Sequence, residues 1–369
     1  MTNTAHKDNE PTKVISFVNK ITGNLPFVSK VFRIERFDEA IIAKWMGLNS
    51  RVAEKLIRFE DGNEIRINRQ FVRGPDGFVT PWNAEYRDSP TYFSLFPAIV
   101  FDFSAVPMNV IRGGVLEELD RRTEIARLLL RMSRHGIVEP LNELFFRSVD
   151  TDRCTNHEVV HREQPTEDWS DWKADEQSLP ILKRLIASLW EPLLNSYDGW
   201  PDDCLVAVRQ FLRAQELPPP EREIALWIAM ESILGPDDKQ ELSFRICAYG
   251  ALFTEESSRR RGVYDILREG YRMRSKYVHG TEKPSKRSPN KPFEESYKEY
   301  CAIEDIARVA LRRYLNCRLV HKMKREDIHQ VLEHACVDSN VLATLPSDPG
   351  LAAVDLGLPG SNRPTNETT

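Results

Sequence analysis

At 369 residues the chain has room for two domains of ordinary size, and a 41% hydrophobic content excludes a disordered or fibrous class. A net charge of −5 argues against a generic nucleic-acid coat. No apolar run reaches membrane length: the stretch from Phe93 to Ile111 is broken by Pro97, Asp102 and Pro107, and the first ten residues hold no signal-peptide core.

Residues 1–12 are polar and expected to be disordered. From 13 to 175 the pattern is mixed. Short strands are expected at Val31–Phe37 and Lys55–Phe59. A turn at Asp61-Gly62-Asn63 leads into partial alternation over Glu64–Arg73, and Gly74–Gly77 reads as another turn. A β-rich run follows at Tyr92–Val106. Leu116–Arg134 carries apolar residues at helical spacing, and strands are expected at Leu144–Val149 and around Val159.

Beyond residue 178 the periodicity turns helical. Helices are expected at Leu179–Asn195, Asp202–Leu217, Pro220–Leu234, Glu241–Phe253, Glu256–Val278 and Glu294–Lys322, with a short extension within 326–344 from Glu326 to Cys336. Stop and start signals support them: Asp202-Asp203 opens one helix, Pro218-Pro219-Pro220 precedes the next, and Gly235-Pro236 closes it. Gly280–Pro292 reads as a basic loop, and 345–369 as a flexible Pro/Gly/Ser/Asn-rich tail. The fold class expected is therefore an α+β N-terminal region followed by an all-α helical bundle.

The six cysteines (Cys154, Cys204, Cys247, Cys301, Cys317, Cys336) form no CxxC pair, and four lie in helical patterns. They read as reduced, mostly buried thiols of a cytoplasmic protein. Charge is unevenly spread. Ten basic residues fall between Arg259 and Arg287 against Asp265, Glu269 and Glu282, whereas the chain after Arg325 is acidic. A local basic patch is what a phosphate-rich ligand selects, although a solvated helix face explains a charge run equally well.

That patch surrounds Arg274 and His279, separated by four residues at the end of the helix expected over 256–278, with Gly280 as its stop signal. Arginine is a permanent cation for a phosphate, and histidine moves protons near neutral pH. Together they meet the needs of a ribonuclease that works without a metal. Three blocks lie in order around them. Ile224–Leu234 is an apolar helix bearing Glu231; Leu242–Ala248 carries Arg245; Ile266–Gly280 contains Tyr271-x-x-Arg274-Ser275-x-x-Val278-His279-Gly280.

This series resembles the HEPN domain in its Apea-like branch, over residues 178–325. The last block is the specific one; the other two are looser. The resemblance implies a four- to five-helix bundle that forms a homodimer through the helical domain, with Arg274 and His279 of both subunits lining one cleft. It further implies a metal-independent endoribonuclease of toxin or phage-defence type, acting on RNA without a cofactor. Cleavage through the 2′-OH needs one group to take the hydroxyl proton and another to protonate the leaving 5′-oxygen, so two histidines from two chains complete the chemistry. Arg274 would stabilise charge on the phosphorus oxygens. Ser275 would bond phosphate or orient His279, and Glu231 would partner Arg274 or Arg245. Arg272, Lys276, Lys283, Lys286 and Arg287 would hold the RNA backbone.

Plainer roles compete at each position. A histidine at a helix C-terminus serves as a cap, Tyr271 and Tyr277 suit core or interface packing, and Trp227 suits the core. Some HEPN domains only bind, so a non-catalytic module for nucleotide, RNA or a partner protein is the alternative. A weaker third reading is zinc hydrolysis at His157-Glu158-Val-Val-His161, which matches the H-E-x-x-H pattern of helical zinc sites. Pro165 and the expected strand around Val159 speak against a helix there.

Overall fold

The computed structural model describes residues 11–19, 21–36, 54–58, 64–68, 71–73, 78–81, 93–94, 97–102, 115–136, 138–147, 154–158, 172–215, 217, 221–235, 241–253, 257–279 and 293–350. They fall into two compact units. One takes the described residues within 1–127, 136–163 and 169–179, the other those within 128–135, 164–168 and 180–369. The described part of the chain is mostly helical, with an antiparallel sheet in the first unit.

That sheet is built from β1 (Pro11–Asn19), β3 (Phe27–Val28), β4 (Arg33–Arg36), β10 (Pro97–Asp102), β11 (Glu139–Arg147) and β12 (Cys154–Glu158), in the order β12-β11-β1-β10-β4-β3. β1 is an inner strand, pairing with β10 on one side and β11 on the other. Its first residues, Pro11 and Thr12, fall in the segment expected to be disordered. Proline is tolerated there because it stands at the strand's first position, where a missing N–H interrupts least. Short pairs complete the unit: β2 (Ile21–Gly23) runs parallel to β13 (Trp172–Ala174), β5 (Glu54–Arg58) pairs with β6 (Glu64–Asn68), and β7 (Phe71–Arg73) and β9 (Phe93–Ser94) flank β8 (Phe78–Pro81). Phe27, Phe32, Ile34, Ile99 and Phe101 are buried, with the Phe32 and Phe101 rings 6.2 Å apart.

The helices are α1 (Val115–Ser133), α2 (Ser178–Asn195), α3 (Asp202–Arg213), α4 (Glu221–Leu234), α5 (Leu242–Leu252), α6 (Arg260–Val278), α7 (Phe293–Leu315) and α8 (Arg325–Ala335). Periodicity explains their packing. Leu182, Leu185, Leu189 and Leu193 form one stripe of α2, and Cys204, Ala207, Val208 and Phe211 one stripe of α3; all eight are buried. Each large apolar side chain so buried contributes about 1.5–3 kcal/mol. α3 ends at Arg213, four residues before its expected limit, and α7 gives way at Asn316–Val320 to a π-helical turn. Residues 128–135, which the sequence assigns to the mixed region, belong to the helical unit. Arg131, fully buried, donates from Nη1 to the Leu212 carbonyl at 3.1 Å and lies over the Phe211 ring.

The C-terminal segment also differs from expectation at its start. Leu345 and Asp348 are buried, and Asp348 holds the buried Arg312 through Oδ2 at 2.7 and 3.1 Å. A charged side chain at residue 312 forces this: a buried guanidinium needs a carboxylate. Residues 351–369, the rest of the expected tail, lie outside the described residues.

Candidate functional site

Two helices position Arg274. α4 ends at Leu234, and Gly235 follows with its N–H donated to the Glu231 carbonyl at 2.8 Å, where a Cβ would come within 2.4 Å of that oxygen. α6 turns Val263, Leu267, Gly270 and Arg274 to one side, at spacings of four, three and four. Val263 and Leu267 are fully buried, and Arg274 extends their stripe toward α4. Gly270 permits the approach, since a methyl there would meet the Ile303 Cδ1 at 2.6 Å and the Trp227 ring at 2.9 Å.

The Arg274 Nη2 lies 3.0 Å from Glu231 Oε1 and donates to Oε2 at 3.2 Å. Both side chains are about one-fifth exposed, at 18% and 21%. Tyr271, one turn earlier, places its ring 5.5 Å from the guanidinium carbon and stands edge-on to Trp227 at 5.2 Å. Burial, reinforced by the Glu231 carboxylate, pushes the Tyr271 phenol up to about 12, so it stays protonated and able to donate. Trp227 is fully buried, in keeping with a core role. Of the two partners offered for Glu231, Arg274 is the one it holds.

His279 caps α6. Its backbone N–H donates to the Ser275 carbonyl at 3.0 Å, and its side chain is exposed, with no hydrogen bond or ion pair among the described residues. A helix turns about 100° per residue, so Arg272 and Lys276 lie roughly opposite Arg274, while His279 falls on their face. Arg272 is exposed and donates from Nε to Glu269 at 2.9 Å. Ser275 is half-buried beside Arg274. Lys283, Lys286 and Arg287, together with Gly280, lie outside the described residues.

The structure therefore brings Arg274, Glu231 and Tyr271 together on the inner side of α6. His279, Arg272 and Lys276 share its outer side, and a single chain does not join the two groups. Chemically, the inner group is a guanidinium paired with Glu231, and the outer group is an exposed imidazole beside Lys276 and an Arg272 paired with Glu269.

The other motif behaves differently. His157 and Glu158 lie on β12, paired in register with Glu143 and Asn142. Successive strand residues face opposite ways, which is not the one-faced helix a zincin requires, and His161 lies outside the described residues.

One cluster escapes sequence reasoning altogether. Glu304 on α7 is fully buried among Arg131 (3.3 Å), Arg308 (3.4 Å) and His135 (2.7 Å). Burial alone would raise its carboxyl, but His135 and Arg131 outweigh that and hold it well below the carboxylate range. The available signal was a run of charged residues (Glu304, Arg308, Arg312) at α7 positions whose neighbours are core.

No known protein family, curated protein or solved structure matches the chain. Among the described residues, no helix is long and apolar enough to cross a membrane.

Proposed function

We propose that the helical unit is an HEPN-type module of the Apea-like branch that acts on RNA in the cytoplasm. In this reading it is a homodimeric, metal-independent endoribonuclease of toxin or phage-defence type, latent until triggered. The observation that carries the reading is the end of α6, where the exposed His279 shares a face with Arg272 and Lys276 and the anchored Arg274 lies on the opposite side. Those cations, with Lys283, Lys286 and Arg287, draw in the phosphate backbone. His279 takes the 2′-OH proton, and the partner subunit's His279 protonates the leaving 5′-oxygen. Arg274 stabilises the charge on the phosphorus oxygens once it is released from Glu231. Latency is supported by the ion pair itself, because a carboxylate on the guanidinium occupies the place of a phosphate. The defence setting rests on the resemblance alone.

The same ion pair, and the separation of Arg274 from His279 around the helix, favour a second reading: a module that binds nucleotide, RNA or a partner protein without cutting. The deciding experiment incubates the full chain with mixed single-stranded and transfer RNA in EDTA, beside Arg274→Ala and His279→Ala, with the size of each checked by light scattering. Cleavage leaving 2′,3′-cyclic phosphate ends, reduced at least about 100-fold in both variants, is expected of the ribonuclease. Salt-sensitive binding with no cleavage would replace it with the second reading.

A further inference from the structure

Away from α6, three residues of the helical unit stand in succession. His135 follows α1; its Nδ1 lies 2.7 Å from Glu304 Oε2, and its Nε2 lies 3.8 Å from the Cys301 Sγ. Cys301 and Glu304 are three residues apart on α7 and so share a face, which lets one imidazole span both. The contacts of Glu304 with Arg131 and Arg308 fix the carboxylate, and the carboxylate in turn fixes the ring, with Nδ1 inward and Nε2 toward sulfur.

Cys301 differs from its neighbours. Cys204, Cys247 and Cys317 are buried, and burial pushes their thiols up to about 12, 12 and 11. Cys301, by contrast, is only partly covered. A thiol, an imidazolium and an orienting carboxylate in succession is an arrangement that favours the thiolate. Its place inside α7 narrows the reaction. The amide N–H groups around it are spent on the helix, leaving none to cradle an oxyanion, so acyl transfer is a poor fit. A two-electron oxidation by a small hydroperoxide needs no such cradle.

We propose that Cys301 is a modification site, a thiol oxidised to sulfenic acid by hydroperoxides, with His135 carrying the proton and Glu304 orienting His135. The sulfur gives its proton to solvent, and the Nε2–H of the imidazolium holds the resulting thiolate. The sulfur electron pair then attacks the terminal peroxide oxygen, and the S–O bond forms as the O–O bond breaks. The departing oxygen takes the electron pair and the Nε2 proton, leaving as water or alcohol. Sulfur is oxidised by two electrons and the peroxide reduced by two. Charge favours a protonated ring in this role: burial pulls the His135 imidazole down, but Glu304 outweighs it and holds it well above the usual histidine range.

The test uses the native full-length chain, hydrogen peroxide with dimedone as the trap, and iodoacetamide in parallel, read peptide by peptide by mass spectrometry. N-acetylcysteine in the same tube and the exposed Cys336 serve as references. Cys301 is expected to react at least about tenfold faster than both, and His135→Gln to bring it down to their level. The wild-type comparison decides without any variant: Cys301 reacting no faster than N-acetylcysteine overturns the proposal. A folded His135→Gln chain with undiminished Cys301 reactivity overturns the role of the histidine. Neither readout depends on RNA cleavage.

Discussion

At the scale of single residues, the chain's polar chemistry is set by partners far away in sequence. Asp203 opens α3, where an acid suits the helix dipole, yet it also accepts from Arg318 at 3.0 and 3.2 Å and from the Tyr314 hydroxyl. Burial alone would raise the Asp203 carboxyl; Arg318, then Tyr314, outweigh it and hold it below its ordinary range. Its folded pKa is thus depressed, so its stabilisation is complete above about pH 3.9 and is lost as pH falls through the folded value. Asp203→Asn should lower the melting temperature at neutral pH and flatten its decline in acid; a variant with the wild-type acid limb would remove Asp203 from that account. Sequence could place Asp203 at a helix start from the Asp202-Asp203 pair. It could not supply Arg318, 115 residues on. The same holds at the candidate site. Arg274 and His279 were legible from spacing and block order, whereas the opposite sides of α6 on which they lie follow from which stripe the core selects.

Elements are more legible than partners. α1, α2, α4 and α5 lie within about two residues of their expected limits, because apolar periodicity over three or more turns is a strong signal. β1 was missed. Val14-Ile15-Ser16-Phe17-Val18 is an almost unbroken apolar run, lacking the alternation that marks a half-buried strand. The glycines of α6 show what packing adds to periodicity. Gly262 faces open space, so Gly262→Ala should stabilise by up to about 1 kcal/mol through helix propensity. Gly270→Ala should instead destabilise by about 1–3 kcal/mol, as the methyl forces Trp227 and Ile303 aside. Urea melts of the two variants separate these cases, and equal effects would show that the α4–α6–α7 junction is looser than its distances imply.

On the scale of the whole molecule, the two units are organised by different means, one by a sheet with β1 inside it, the other by helical stripes and a buried charge network. The C-terminal segment is part of the second. Asp348→Ala leaves the Arg312 guanidinium buried and uncompensated, at a cost of about 3–5 kcal/mol, so its melting temperature should fall well below wild type. An unchanged melt would mean that Arg312 finds solvent or another carboxylate. Composition suggested a loose tail from residue 345, and nothing in Pro346-Ser347-Asp348-Pro349-Gly350 announces a counter-ion; only the burial of Arg312 does. Finally, both buried residues of α6, Val263 and Leu267, lie in its first half. No residue from Arg268 to His279, the candidate site included, is fully buried. Anchorage is thus graded along one rod of helix, firm at its root and light at its tip. The residues that would meet a ligand are those whose backbone opens at least energetic cost, so whatever grips the tip also completes the rod.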